Sequence, residues 1–333
     1  MENNIADFIK KFNIKLVMPS NANGWKCDWR ECGWCCVTEI TDYHNNEKCS
    51  KFDIKTKECK IYNNRLIDCK IYPFMIINTN DSIILSPSLN CPYVLSSIKM
   101  SPLQIEDILL DEEVREFIWS YIDARRKSLP RLNILHTNRD FNNNIQQTND
   151  LLKSLTFKKL EDLRKFISNY YPFDIIESIR RYTELGAYVK PNYSLEGIPK
   201  PDVVFFRVTK KDHIIYKDHF NTNIIKDIII PENILINEMA QIALKQYIDL
   251  NINRRLEFES LFISRIRDLQ STLENTYMEI WISILYILCT HLILIALREK
   301  VDIIDYPNMR EALSITDSSL NGLILTKPNI SNR

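Results

Sequence analysis

Beyond the first hundred residues, apolar positions recur at helical spacing along most of the chain. Ser101-Pro102-Leu103-Gln104 reads as a helix start. Serine stands at the N-cap, proline at the first helical position, and glutamine completes a capping box. Ile105, Ile108, Leu109, Val114, Phe117, Ile118 and Ile122 carry the period on to about Arg126. A polar stretch from Asn138 to Asn149 precedes a second predicted helix, Leu151 to Tyr170, and a third covers Ile175 to Val189. The segment Pro191–Pro201 reads as a linker or turn. Val203–Val208 and His213–Tyr216, separated by Thr209-Lys210-Lys211-Asp212, have the composition and spacing of a short β-hairpin. Helices resume at about Ile224, and a long pattern spans Arg254 to Glu299. The expected fold class is mainly α. A small, irregular, metal-organised cysteine-rich domain over 1–100 precedes a helical domain over 101–333 that carries the hairpin.

The run Ile280–Leu297 has 18 residues without a formal charge, the lower edge for a membrane span. Ser283, Thr290 and His291 interrupt it, charged helix precedes it directly, and its far flank is not rich in Trp or Tyr. A buried helix of an all-α domain is the preferred reading, and membrane association is not favoured.

The cysteines divide the chain differently. Eight of the nine fall between Cys27 and Cys91, and only Cys289 lies beyond. Met1–Lys11 is polar and contains no apolar signal-peptide core, so the expected location is cytoplasmic. In a reducing compartment, clustered cysteines point to metal or redox chemistry, with disulfides as the competing reading.

Composition removes several function classes. Lys+Arg and Asp+Glu number 43 each, so no overall charge favours nucleic acid or an anionic membrane. Glycine occurs only 5 times, at Gly24, Gly33, Gly186, Gly197 and Gly322. Those positions form neither a dinucleotide-binding turn nor a phosphate-binding loop. No Ser/His/Asp or Cys/His nucleophile set can be assembled from spacing. His213 and His219, with Asp212 and Asp218, fit a surface hairpin tip better than acid–base chemistry.

Thiolates are soft donors, and several together select zinc, Cu(I) or iron–sulfur clusters over hard cations. The chain reads Cys27-Asp-Trp-Arg-Glu-Cys32-Gly-Trp-Cys35-Cys36, followed by Cys49, Cys59, Cys69 and Cys91. Cys32 and Cys35 have the spacing that lets two thiolates address one metal across a tight turn, and Gly33 frees the backbone there. Cys91 is followed by Pro92, a step that also ends the cysteine run of bacterial-type ferredoxins. Four soft ligands complete one zinc site or one 4Fe–4S cluster. Eight cysteines therefore allow two sites, one site with spare thiols, or one multinuclear site. Adjacent Cys35 and Cys36 point in different directions in most backbone conformations and are expected to play different roles. Lys26, Arg30 and Lys70 would favour thiolate and offset cluster charge. Trp25, Trp29 and Trp34 are read first as a local apolar core, and His44 as a solvated loop residue rather than a ligand.

Cys59-Lys-Ile-Tyr-Asn-Asn-Arg65-Leu-Ile-Asp-Cys69-Lys-Ile-Tyr72-Pro73-Phe74 adds a second signal. Together with Cys27 to Cys36, it resembles the YkgJ-type cysteine-cluster family, described as a zinc- or iron-chelating domain. Related clusters occur in flagellin lysine-N-methylases. The resemblance covers the first quarter to third of the chain. It implies that Cys27, Cys32, Cys35, Cys36, Cys59 and Cys69 occupy the family's cysteine positions. Cys49 corresponds to the cysteine that precedes an apolar residue, here Phe52, and Cys91 to the downstream Cys-Pro. One departure is Leu66, where family members carry proline after the arginine; it removes no ligand. The eight cysteines are thus the expected metal ligands, for a 4Fe–4S cluster first and zinc as the alternative.

Two functional classes follow. One is a metal-binding or redox-sensing protein whose helical domain binds a protein partner or protein substrate. The other is an iron–sulfur-dependent protein-modifying enzyme, such as the protein-lysine N-methylase that the resemblance suggests, with S-adenosylmethionine as donor. The missing glycine-rich loop argues against a Rossmann-type methyltransferase site, and the non-enzymatic reading is preferred.

Overall fold

The computed structural model describes residues 4–18, 49–53, 55–56, 58–78, 82–88, 105–126, 139–171, 173, 187–193, 199–208, 214–217, 222–225, 233–254 and 273–323. The described protein is mainly helical, with a few small sheets. It divides into two compact units, one of Met1–Pro130 with Val189–Asp202, the other of Arg131–Tyr188 with Val203–Arg333.

The first unit opens with helix α1 (Ile5–Phe12). The Asn4 side chain accepts a hydrogen bond from Ala6 N at 3.0 Å, satisfying one donor of the first turn. Asp7 in that turn and Lys10 and Lys11 in the last both complement the helix dipole. Asn13 ends the helix at φ 47°, the left-handed conformation that asparagine tolerates, and its N–H reaches the carbonyls of Ile9 and Lys10. Phe8 and Phe12, one turn apart, bury the same face, with ring centroids 5.0 Å apart.

Strand β1 (Ile14–Leu16) follows directly. Farther on come the short hairpin strands β2 (Phe52–Asp53) and β3 (Glu58–Cys59), helix α2 (Ile67–Ile71), and strands β4 (Phe74–Asn78) and β5 (Ile83–Pro87). β5 is the middle strand of a three-stranded sheet, parallel to β1 (Ile14 opposite Ile83) and antiparallel to β4 (Phe74 opposite Pro87). All five of its residues are buried, as expected of a strand covered on both faces. Helices α3 (Ile105–Leu109) and α4 (Glu112–Arg126) complete the core, in which Leu85, Leu109, Val114 and Ile118 pack with Phe8 and Phe12.

The second unit contains α5 (Arg139–Ser154), α6 (Leu160–Ser168), strands β6 (Ala187–Tyr193), β7 (Pro199–Val208), β8 (Ile214–Lys217), β9 (Thr222–Ile225) and β10 (Leu235–Ile236), then α7 (Glu238–Asn253), α8 (Leu273–Glu299), β11 (Ile303–Ile304) and α9 (Tyr306–Leu323). The residues of β6 and β7 fall partly in each unit. α8 packs against α5, α6 and α9, while α7 packs against α5 and α9. Trp281, Ile284, Ile287, Leu288, Cys289, Thr290 and Ile293 are fully buried, and at helical spacing they reach around the whole circumference of α8. A helix enclosed on all sides has no polar face to present, which is why this run carries no formal charge; the Ser283 and Thr290 hydroxyls donate to the carbonyls of Glu279 and Tyr286 on the same helix. It is long and apolar enough to cross a membrane, and 78% of its most apolar window is buried inside the protein. β10 and β11 form a parallel two-stranded ribbon, and Asn237, directly after β10, caps α7 by accepting from Ala240 N at 2.8 Å.

Several elements differ from the sequence expectation, each for a local reason. The helix expected to run unbroken to Arg126 is two helices. Asp111 Oδ1 accepts from Glu113 N at 2.9 Å and starts α4, while the Arg115 guanidinium binds the carbonyls of Leu109 and Leu110 that end α3. Its expected cap, Ser101–Gln104, lies outside the described residues. The polar stretch Asn138–Asn149 belongs largely to α5, because Ile145, Thr148, Asn149 and Leu152 form a buried stripe at helical spacing. The expected helix 151–170 breaks after Ser154. It restarts where the Asp162 carboxylate accepts from Lys159 N at 3.0 Å.

The expected helix 175–189 ends in strand, since Ala187–Val189 belong to β6; residues 174–186 lie outside the described residues. Of Pro191–Pro201, expected as a linker or turn, Pro191–Tyr193 belong to β6 and Pro199–Pro201 to β7, while residues 194–198 lie outside the described residues. β6 is an outer strand and Pro199 and Pro201 stand at the start of β7, positions where a missing N–H is tolerated. The expected hairpin is present as β7–β8, with Val208 opposite Ile214. Ile224 belongs to β9, paired with Ile215, and among the described residues helix resumes at Glu238. Arg254 caps the end of α7 rather than starting the long helix, which is described from Leu273.

Candidate metal centre

Three of the eight clustered cysteines fall among the described residues, all within one stretch of 21 residues. Cys49 is buried at the start of a turn, its carbonyl accepting from Phe52 N at 3.1 Å. The turn leads into β2, where Phe52, itself buried, stands opposite Cys59 on β3. Asp53 closes the hairpin. Its Oδ1 accepts from Lys55 N at 2.9 Å and Thr56 N at 3.3 Å, and those two backbone donors hold the carboxyl below the usual carboxylate range. Lys60 N donates to Lys51 O at 2.9 Å and extends the ladder by one bond. The hairpin register thus sets Cys59 directly across from the residue that the Cys49 turn delivers.

Cys59 leads through Tyr62–Asn64, a single 3-10 turn, to α2, which carries the half-buried Cys69. Between them, the Arg65 guanidinium lies 4.0 Å from the centre of the Tyr62 ring, and its Nε donates to Tyr62 O at 3.0 Å. Arg65 takes an extended backbone, with ψ 150°, although the residue after it is Leu66 rather than proline. The Tyr62 contact therefore accompanies a conformation that proline would otherwise impose. A cis Tyr72-Pro73 peptide joins α2 to β4, and Ile71 and Phe74 on either side enter the core.

Lys70, next to Cys69, is engaged by carboxylates. Its Nζ lies 2.8 Å from Glu113 Oε2 and 3.0 Å from Asp111 Oδ2 at the start of α4. The hydrogen bond to Glu113, followed by that to Asp111, raises its pKa and keeps the ammonium charged. Two carboxylates thus already meet the one positive charge expected to offset cluster charge. Sequence spacing offers no sign of this partnership, which joins residues more than 40 positions apart.

No disulfide joins Cys49, Cys59 and Cys69. Among the described residues, no three His, Cys, Asp or Glu side chains come together as metal ligands. A centre that used any of these three thiols would thus need ligands from elsewhere in the chain. The other predicted ligands, Cys27, Cys32, Cys35, Cys36 and Cys91, lie outside the described residues. So do Lys26, Arg30, the tryptophans Trp25, Trp29 and Trp34, His44, and the set Asp212, His213, Asp218 and His219.

Cys289 sits apart in kind. It is fully buried on α8, and burial pushes its thiol up, against a smaller opposing pull from Arg164. His291, two residues on, is buried as well, and burial pushes its pKa down to about 4. At neutral pH both are uncharged core side chains.

No family model, curated protein or solved structure matches the chain.

Proposed function

We propose that the chain is a metal-binding cysteine-cluster protein of the YkgJ type. Its cluster holds a 4Fe–4S centre, or zinc as the alternative, and its helical part binds a protein partner or substrate in the cytoplasm. The observation that carries this reading is the cysteine distribution: eight in the span Cys27 to Cys91, with Cys32-Gly-Trp-Cys35-Cys36 near its start.

Local structure supports it. Cys59 and Cys69 sit on elements too short to be stable alone, a hairpin of two-residue strands and a five-residue helix. Thiolate–metal bonds would supply the cross-links that such elements lack, and ligand binding would then be coupled to folding. The donor set is soft and thiol-only, which fits iron–sulfur or zinc and disfavours magnesium or calcium. When bound, an iron–sulfur centre would supply electron transfer or redox sensing, and zinc would supply structural closure.

The test is anaerobic purification followed by a visible absorption spectrum and analysis for iron, acid-labile sulfide and zinc. Brown protein with iron and sulfide in near-equal amounts is the expected result. Colourless protein containing zinc supports the alternative metal. Protein that carries neither metal, and takes up neither when reduced and reconstituted, overturns the proposal.

A further inference from the structure

We draw no further inference here: the strongest candidate, the exposed apolar side chains Leu235 and Ile303 on the β10–β11 ribbon with Met239 and Ile242 at the start of α7, carries none because nothing in the structure shows what covers it.

Discussion

Cys289 and two cysteines of the first unit, Cys59 and Cys69, are the same residue in different settings. Cys289 lies fully buried on a 27-residue helix, and burial holds its thiol neutral. Cys59 and Cys69 lie half-buried on a two-residue strand and a five-residue helix. The first cysteine rests on packing that would persist without it. The others sit on elements whose own backbone hydrogen bonding is thin, where added cross-links would contribute most. Cysteine chemistry follows environment, so the comparison separates a small core hydrophobe from candidate ligands.

The largest expected effect tests this contrast directly. Replacing Cys32 and Cys35 together by serine should remove most of the bound metal, whereas Cys289→Ser should leave metal content unchanged. The free energy at stake for a structural thiolate site is on the order of 10 kcal/mol. Amide exchange should then rise over residues 52–71 and stay slow in α8. Equal loss of protection in both places would show that the two regions do not differ in what stabilises them.

Next in size is a substitution within the helical unit. Arg254 Nη1 lies 3.1 Å from Asp317 Oδ1, and the two side chains are 0% and 5% exposed. Asp317→Ala leaves a buried guanidinium without that carboxylate and should cost about 3–5 kcal/mol, read from urea unfolding. Metal content should not change, because the pair belongs to α7 and α9 rather than to any element bearing a clustered cysteine. A variant that loses metal along with stability would erase the distinction drawn above.

The pH dependence of stability comes third. His291 binds a proton only near pH 4 in the folded chain but near 6.5 when unfolded. Between those values the unfolded state holds more protons, so stability is fully present above about pH 6.5 and falls on acidification towards pH 4. The loss attributable to this group is on the order of 3 kcal/mol. His291→Leu should flatten that part of the profile, as measured by urea midpoints at pH 7 and pH 4.5. A profile of unchanged slope would place the acid sensitivity in other groups.

Legibility from sequence follows the same division. The helical unit was readable where one residue type dominated. The run Ile280–Leu297, free of formal charge, reads as a buried or a membrane helix, and it packs against three other helices. α5 was hidden by its asparagines, because a buried stripe of Ile145, Thr148, Asn149 and Leu152 mixes polar with apolar residues. Burial of Asn149 is made affordable by a tertiary partner, the Tyr277 hydroxyl that donates to its Oδ1 at 2.7 Å, and no local pattern announces that.

In the first unit, the β4–β5 hairpin did have a signal. Phe74–Asn78 and Ile83–Pro87 are apolar runs flanking the turn-prone Thr79-Asn80-Asp81. The expectation of an irregular domain passes over it, since cysteine density draws the reading towards ligands. The cysteine positions themselves are local and legible. What surrounds them is not: the Lys70 contacts with Asp111 and Glu113 depend on where α4 begins, and that depends on Asp111 capping it.

The smallest effect is also the cleanest separation. Cys289→Ala removes one buried sulfur and should cost about 1 kcal/mol, within the range for small deletions in a packed core. More telling is reactivity. A thiol reagent added to reduced protein freed of metal should modify Cys59 and Cys69 in minutes, since both are partly exposed. Cys289 should resist until the chain unfolds, because its thiol is enclosed and burial disfavours the thiolate that reacts. Mass spectrometry of peptides after timed labelling distinguishes the sites. If Cys289 reacts as fast as Cys59 at neutral pH, α8 opens readily to solvent, and its apolar surface would then need another explanation than burial in a helical core.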